Sequence, residues 1–328
     1  VPAPFYNAIR GTTSGTPGTG AFTPNAAASG YRSWSVVPSG WIGMVRFEDG
    51  SSWELTWSYW NGTTLSRSST QLFDSSSGTA ISLTSSATAA MIAQASDMMS
   101  HVGTTKWSVW LASTASALTA LGAAAVTVFG TNSAPGLATT NYLTEQLRVQ
   151  YASATTANAQ GGPTTPALAI VDTSAGHGGF EFVCRFGASQ LPTGPRLFVG
   201  MTSTTFAGNT GEPSALTANL ACFAKDSTDT NIQLLVNSNA GGGTKTDTGI
   251  PLTANGWYEA SVWIEPGSNK VYGLLIRLDT GDIWYGSTTT DVPANGASML
   301  CNALGGLSST TGTAFQMCVG SMSLRAGQ

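Results

Sequence analysis

Two histidines, 17 carboxylates and four cysteines are the side chains of this 328-residue chain best suited to chemistry. Their spacing matches none of the common constellations. His101 sits in Met-Met-Ser-His-Val and His177 in Ala-Gly-His-Gly-Gly, a loop before a strand. Neither accompanies a G-x-S-x-G nucleophile turn or an H-E-x-x-H helix. A glycosidase needs two carboxylates across the scissile bond, about 5–10 Å apart. Glu181, Glu259, Glu265, Asp279 and Asp282 are the candidates. Glu181 and Glu259, however, fall on the solvent phase of their strands, and no β-helix repeat surrounds them. The sequence therefore predicts a protein that binds without transforming, and no cofactor motif is found.

Metal and phosphate chemistry receive the same reading. Cys184, Cys222, Cys301 and Cys318 are far apart with no C-x-x-C spacing, so zinc is not expected. Their apolar strand contexts predict free buried thiols and synthesis in a reducing cytoplasm. Asp226-Ser-Thr-Asp-Thr-Asn231 alternates oxygen side chains but lacks the central Gly and terminal Glu of an EF-hand, and reads as a turn. Ala240-Gly-Gly-Gly-Thr-Lys-Thr246 lacks the G-x-x-x-x-G-K-[ST] pattern and a strand-to-helix context.

Sugar recognition fits the residues better, because it combines an exposed aromatic plane with hydroxyl and amide side chains. Trp263 is out of phase with Tyr258, Ala260, Val262 and Ile264; if those face a core, Trp263 faces outward. Trp284 and Tyr285, before Gly286-Ser-Thr-Thr-Thr290, form a second candidate, and His177 a third. Core packing or a subunit interface is the competing reading for each aromatic.

Elements able to position these residues are strands. Charged residues are 9% of the chain, with 13 Lys and Arg against 17 Asp and Glu, so nucleic-acid binding is disfavoured. Hydrophobic residues are 41%, enough to fill cores, which argues against disorder. The longest weakly polar stretch, 115–129, is too short for a membrane span of about 20 residues. The first residues, Val-Pro-Ala-Pro-Phe-Tyr-Asn, are not a signal peptide as they stand. Residues 1–95 read as a small antiparallel β domain: 41–48 and 53–60 flank Asp49-Gly50, a tight-turn signal, and further strands are expected at 63–69 and 80–92. Trp53, Leu55, Trp57 and Tyr59 alternate with Glu54, Thr56 and Ser58, so the aromatic stripe is expected in the core, with Trp60 free to contact a neighbour.

Residues 96–140 form an Ala/Ser/Thr-rich connector in which 112–125 suits helix or strand equally. Residues 141–328 show many short strands, at 180–186, 197–201, 232–236, 257–264, 271–278 and 315–324, separated by Gly- and Asn-rich turns. The fold class is all-β, with the second domain a jelly roll or β-sandwich.

The segments Arg10-Gly-Thr-Thr-Ser-Gly-Thr-Pro-Gly-Thr-Gly20, Gly30-Tyr-Arg-Ser-Trp34, Phe47-Glu-Asp-Gly-Ser-Ser-Trp-Glu54 and Thr64-Leu-Ser-Arg67 resemble a β module of tail-fibre, head-fibre and related virion proteins of tailed phages. Gly178 to Phe186, Arg196-Leu-Phe-Val-Gly200 and Asn255-Gly-Trp-Tyr-Glu259 resemble the lectin-like jelly roll of the same proteins, which have relatives among gene-transfer-agent spikes. The resemblance implies a virion-located fibre or spike. Its first domain would attach to other virion proteins, and its last would adsorb to host cell-surface polysaccharide. It also implies a homo-oligomer, commonly a trimer. A decoration or connector protein without a receptor, a capsule depolymerase and a secreted lectin are the alternatives.

Overall fold

The computed structural model describes residues 9–92, 106–112, 118–121, 125–171, 178–206, 211–265, 267–310 and 312–326. Among them there are strands and three single-turn 3₁₀ segments but no α-helix, and no helix long and apolar enough to cross a membrane. The chain divides into two compact units, residues 1–103 with 281–286, and 104–280 with 287–328.

In the first unit β1 (Arg10–Thr13), β2 (Pro24–Ala27), β3 (Trp41–Asp49), β4 (Ser52–Trp60), β5 (Leu72–Ser75) and β6 (Thr88–Met91) form an antiparallel sheet in the order β2-β1-β6-β3-β4-β5. The β3–β4 hairpin turns at Gly50, whose φ of 62° explains the Asp-Gly signal. The expected strand at 63–69 is instead an extended path with isolated bridges from Leu65 to Phe22 and Trp60. The strand expected over 80–92 shortens to Thr88–Met91.

The phase of β4 is the reverse of the expectation. Glu54, Thr56, Ser58 and Trp60 are buried, while Trp53, Leu55, Trp57 and Tyr59 lie half-buried on the opposite face. The reason is Arg67, whose side chain is completely enclosed. Its guanidinium pairs with both Glu54 oxygens, through Nε to Oε1 and at 2.7 Å to Oε2. It also donates to the carbonyls of Gly18 (2.8 Å) and Ile81. Glu54 further accepts from Thr56 Oγ1 and from the Ile81 amide, both at 2.9 Å. A buried charge pair persists only when its remaining donors and acceptors are met, and here they are. Trp60 packs beside Trp34, centroids 5.8 Å apart, and donates Nε1 to the Val37 carbonyl, so it belongs to the core.

The second unit is a β-sandwich of jelly-roll type. Its strands are β7 (Lys106–Leu111), β8 (Thr119–Leu121), β9 (Thr127–Phe129), β10 (Thr131–Ser133), β11 (Val149–Ala152), β12 (Gln160–Ile170), β13 (Phe180–Gln190), β14 (Pro195–Thr202), β15 (Asn219–Lys225) and β16 (Asn231–Ser238). They continue with β17 (Thr244–Pro251), β18 (Trp257–Ile264), β19 (Val271–Arg277), β21 (Ser298–Leu307) and β22 (Gln316–Ala326), while residues 282–286 of β20 (Asp282–Thr288) are grouped with the first unit. One sheet runs β10-β11-β22-β13-β18-β19-β20, with β7 added to β22 and β8 to β7. The other runs β17-β16-β15-β14-β21-β12-β9. Strands β14 and β15 lie across from β18, and β21 across from β22, so the sheets are stacked. The described part of the expected connector contributes β7 to β10 to these sheets. Within 112–125, the described residues 119–121 are strand.

The core alternates as period two demands. Phe180, Phe182, Cys184 and Phe186 of β13 face inward beside Tyr258, Ala260, Val262 and Ile264 of β18. All four cysteines are free and buried. Burial pushes the Cys184 and Cys222 thiols well up, and that of Cys301 to about 12. Only thiolates react readily. A thiol reagent is therefore expected to modify none of the four in the native chain and all four after unfolding; prompt native labelling of two or more would contradict this packing.

Candidate functional site

Strand β18 places Trp263 on the outer face of its sheet, as the alternation required. On that face the register aligns Arg325 of β22, Glu181 of β13, Trp263 and Tyr272 of β19 in one row across four strands. The Trp263 and Tyr272 rings are stacked, centroids 5.3 Å apart and planes within 8°. Lys270 Nζ lies 4.8 Å from the Tyr272 ring centre, and Glu181 pairs with Arg325 at 2.8 Å. A second ion pair on the face, Arg185 with Glu259, closes at 2.6 Å. Burial, then the charge of Glu265, raises the Tyr272 hydroxyl pKa, so the ring carries a neutral donor at physiological pH. The row is thus an apolar step bounded by charged groups at both ends. Its chemistry is C–H/π contact with a sugar ring plus hydrogen bonds to hydroxyls. One face of Trp263 is covered by Tyr272, which also holds the indole in place.

The other candidates are placed differently. Trp284 is buried, 5% exposed, and folds back over Gly286, where a Cβ would come within 2.4 Å of its ring. Tyr285 is half-buried, its ring 5.3 Å from that of Phe73. Both belong to the stretch 281–286 grouped with the first unit, whereas Trp263 and Tyr272 belong to the second. His177, like His101, lies outside the described residues.

Glu181 and Glu259 are set far apart on the face. Glu181 is opposite Trp263 and Glu259 opposite Arg185, four residues along the same strands. At a rise of about 3.3 Å per residue they are roughly 13 Å apart, beyond glycosidase spacing. Asp279 pairs with Arg277 at 2.9 Å and accepts the Trp257 amide.

At one end of the sandwich, Asp226 and Asp229 close the turn that resembled a calcium loop. Lys245 of β17 sits between them, 3.0 Å from Asp226 Oδ2 and 2.6 Å from Asp229 Oδ1. Asp226 also accepts from the Ser214 amide and hydroxyl. Burial works against the charged Lys245, but the two carboxylates outweigh it and its pKa rises. Beside it, burial opposes ionisation of Glu212, yet hydrogen bonds from Arg196 and Ser227 hold its pKa below the ordinary value. An ammonium therefore fills the space between the two carboxylates. Among the described residues no group of three or more His, Cys, Asp or Glu side chains is arranged to hold a metal ion.

Sequence reasoning set Trp263 on the outward phase of its strand but did not single out Tyr272, Lys270 or Arg325. Lys270 and Tyr272 alternate into β19. Only the β18–β19 register, which sets Tyr272 opposite Trp263, turns them into a site.

No family model matches the chain, and no curated protein matches it. Among solved structures, a Shewanella oneidensis MR-1 protein of unknown function is similar at 12% identity and TM-score 0.46, covering 73% of this chain and 96% of its own. Peanut lectin with a nine-residue peptide is similar at 14% identity and TM-score 0.47, covering 68% and 98%. Basic winged bean lectin with Tn-antigen is similar at 11% identity and TM-score 0.44, covering 68% and 98%. Each is a likeness of fold alone.

Proposed function

We propose that this chain is a non-enzymatic adhesion protein of a phage-like particle, a tail or head fibre or spike, located in the virion. Its second unit adsorbs to host-surface polysaccharide, and its first attaches to other virion proteins. The observation that carries the reading is the outward Trp263–Tyr272 stack between the Glu181–Arg325 pair and Lys270. A stacked aromatic pair on a rigid sheet loses little conformational entropy on binding, which suits weak contacts repeated over many sugar units. The arginine partners and wide separation of Glu181 and Glu259 support binding without hydrolysis. The amino-terminal resemblance to virion modules supports the particle location.

The test is cosedimentation of the labelled full chain with host cells, beside a glycan array and mass spectrometry of purified particles. Cell binding, at least one polysaccharide hit and presence in particles are expected. A chain absent from particles and silent on cells and array overturns the proposal, and release of oligosaccharides from purified capsule overturns its non-enzymatic part.

A further inference from the structure

The first unit carries a cluster of unbalanced charge on the sheet face opposite its Val45, Phe47 and Ala89 core. There Arg10 of β1, Ala90 of β6, Arg46 of β3 and Leu55 of β4 stand in one row, and Thr88, Glu48 and Trp53 form the next. Glu48 serves both arginines. Arg10 Nη2 pairs with its Oε2, and Arg46 Nε lies 2.7 Å from its Oε1. Arg10 also donates to Thr88 Oγ1, at 3.2 Å from Nε and 3.0 Å from Nη2. The neighbouring acids are engaged or distant: Asp49 accepts the Thr84 amide and the Ser86 hydroxyl, and Asp74 stands beyond Leu55 at the end of the row.

Two positive charges therefore share one negative charge. The Arg10 amide donates to the Arg32 carbonyl at 3.3 Å, which brings a third, exposed arginine to the same edge. The Arg10 and Arg46 side chains are open to solvent, at 30% and 43%. Each is steadied by an aromatic ring, Tyr31 at 5.7 Å from Arg10 Cζ and Trp53 at 5.5 Å from Arg46 Cζ. Arg10 Nη1 and both terminal nitrogens of Arg46 meet no partner among the described residues. A guanidinium fixed in this way, with its outer N–H groups unused, is pre-organised for the two oxygens of a carboxylate.

We infer that this cluster docks an acidic segment of a partner protein, one carboxylate of which enters between Arg10 and Arg46 above the Ala90 methyl. The two arginines are two strands apart, roughly 10 Å at the backbone, and alanine between them leaves the gap low. With the incoming carboxylate in place, guanidinium and carboxylate alternate around the cluster. Glu48 selects the kind of partner. A phosphate chain carries its charges in unbroken series and meets the Glu48 carboxylate, whereas a protein segment sets neutral residues between its acids. The inference rests on the reading that the first unit attaches to virion proteins, and it names the chemistry of that attachment.

Fluorescence anisotropy of the full chain with a labelled peptide of alternating Glu and Ser provides the test, with polyphosphate as a second probe and melting curves as the check on folding. The wild type is expected to bind the peptide in low salt and release it in high salt. Arg10→Gln and Arg46→Gln are each expected to weaken binding about three- to fivefold, the effect of one exposed ion pair. Glu48→Gln is expected to strengthen it by a similar factor, because the internal competitor is gone; a purely structural ion network predicts no such gain. A wild type that ignores the peptide, or an Arg46→Gln variant that binds it equally, overturns the inference. Polyphosphate bound more tightly than the peptide through the same arginines assigns the cluster to phosphate and overturns it too. The particle reading is judged separately by mass spectrometry of purified particles: absence there removes that reading, while the peptide result on the isolated chain decides this one.

Discussion

Glu54→Ala is expected to destabilise the protein by about 3–5 kcal/mol, the range for breaking a buried ion pair from one side. The loss exceeds that of a hydrogen bond because three groups are abandoned together. The enclosed Arg67 charge keeps its carbonyl partners but loses its counter-charge, and the Ile81 amide and Thr56 hydroxyl lose their acceptor. Replacing both partners by apolar residues, Glu54→Leu with Arg67→Met, is expected to recover much of the stability, since no charge then remains to be buried. Urea unfolding followed by tryptophan fluorescence reads both variants. If Glu54→Ala unfolds at the same midpoint as the surface change Glu265→Ala, the account of the inverted strand is wrong.

The largest functional effect is expected at Trp263. An aromatic anchor at the centre of a contact contributes about 2 kcal/mol or more when truncated, which is roughly 30-fold in affinity. Trp263→Ala is therefore expected to lose about that factor for the polysaccharide bound by the wild type. Where several copies engage one surface, the loss multiplies and adsorption falls more steeply. Stability should change little, because the side chain is half-buried on an outer face. Arg185→Met, on the same face but off the row, serves as the control and should retain binding. Equal binding by Trp263→Ala and wild type in a glycan-binding assay would remove the row from the function. Trp284 is unsuitable for such an experiment, since its burial would turn any change into a folding defect.

What could be read from sequence follows from the range over which each feature is decided. Asp49-Gly50 and the alternation of Phe180 to Phe186 are local, and both appear where the period and turn chemistry placed them. The outward phase of Trp263 is local too. The inverted β4 is not: alternation gives two faces, and only Arg67, 13 residues beyond Glu54, selects which is enclosed. Hydrophobicity alone chose the wrong one. Tyr272 joined the site through cross-strand register, which no single-strand pattern encodes. The Asp226 turn read as a turn, but the counter-ion of its carboxylates, Lys245, lies on another strand. Strand β8, Thr-Ala-Leu, lies in the 112–125 stretch that suited helix and strand equally, whereas β7, Lys-Trp-Ser-Val-Trp-Leu, carries strand-favouring residues that were passed over inside the expected connector.

The ammonium between Asp226 and Asp229 is tethered to the chain by its own methylenes. An anchored cation cannot be washed out or stripped by chelators. The loops it gathers therefore keep their shape in soft water and hard water alike.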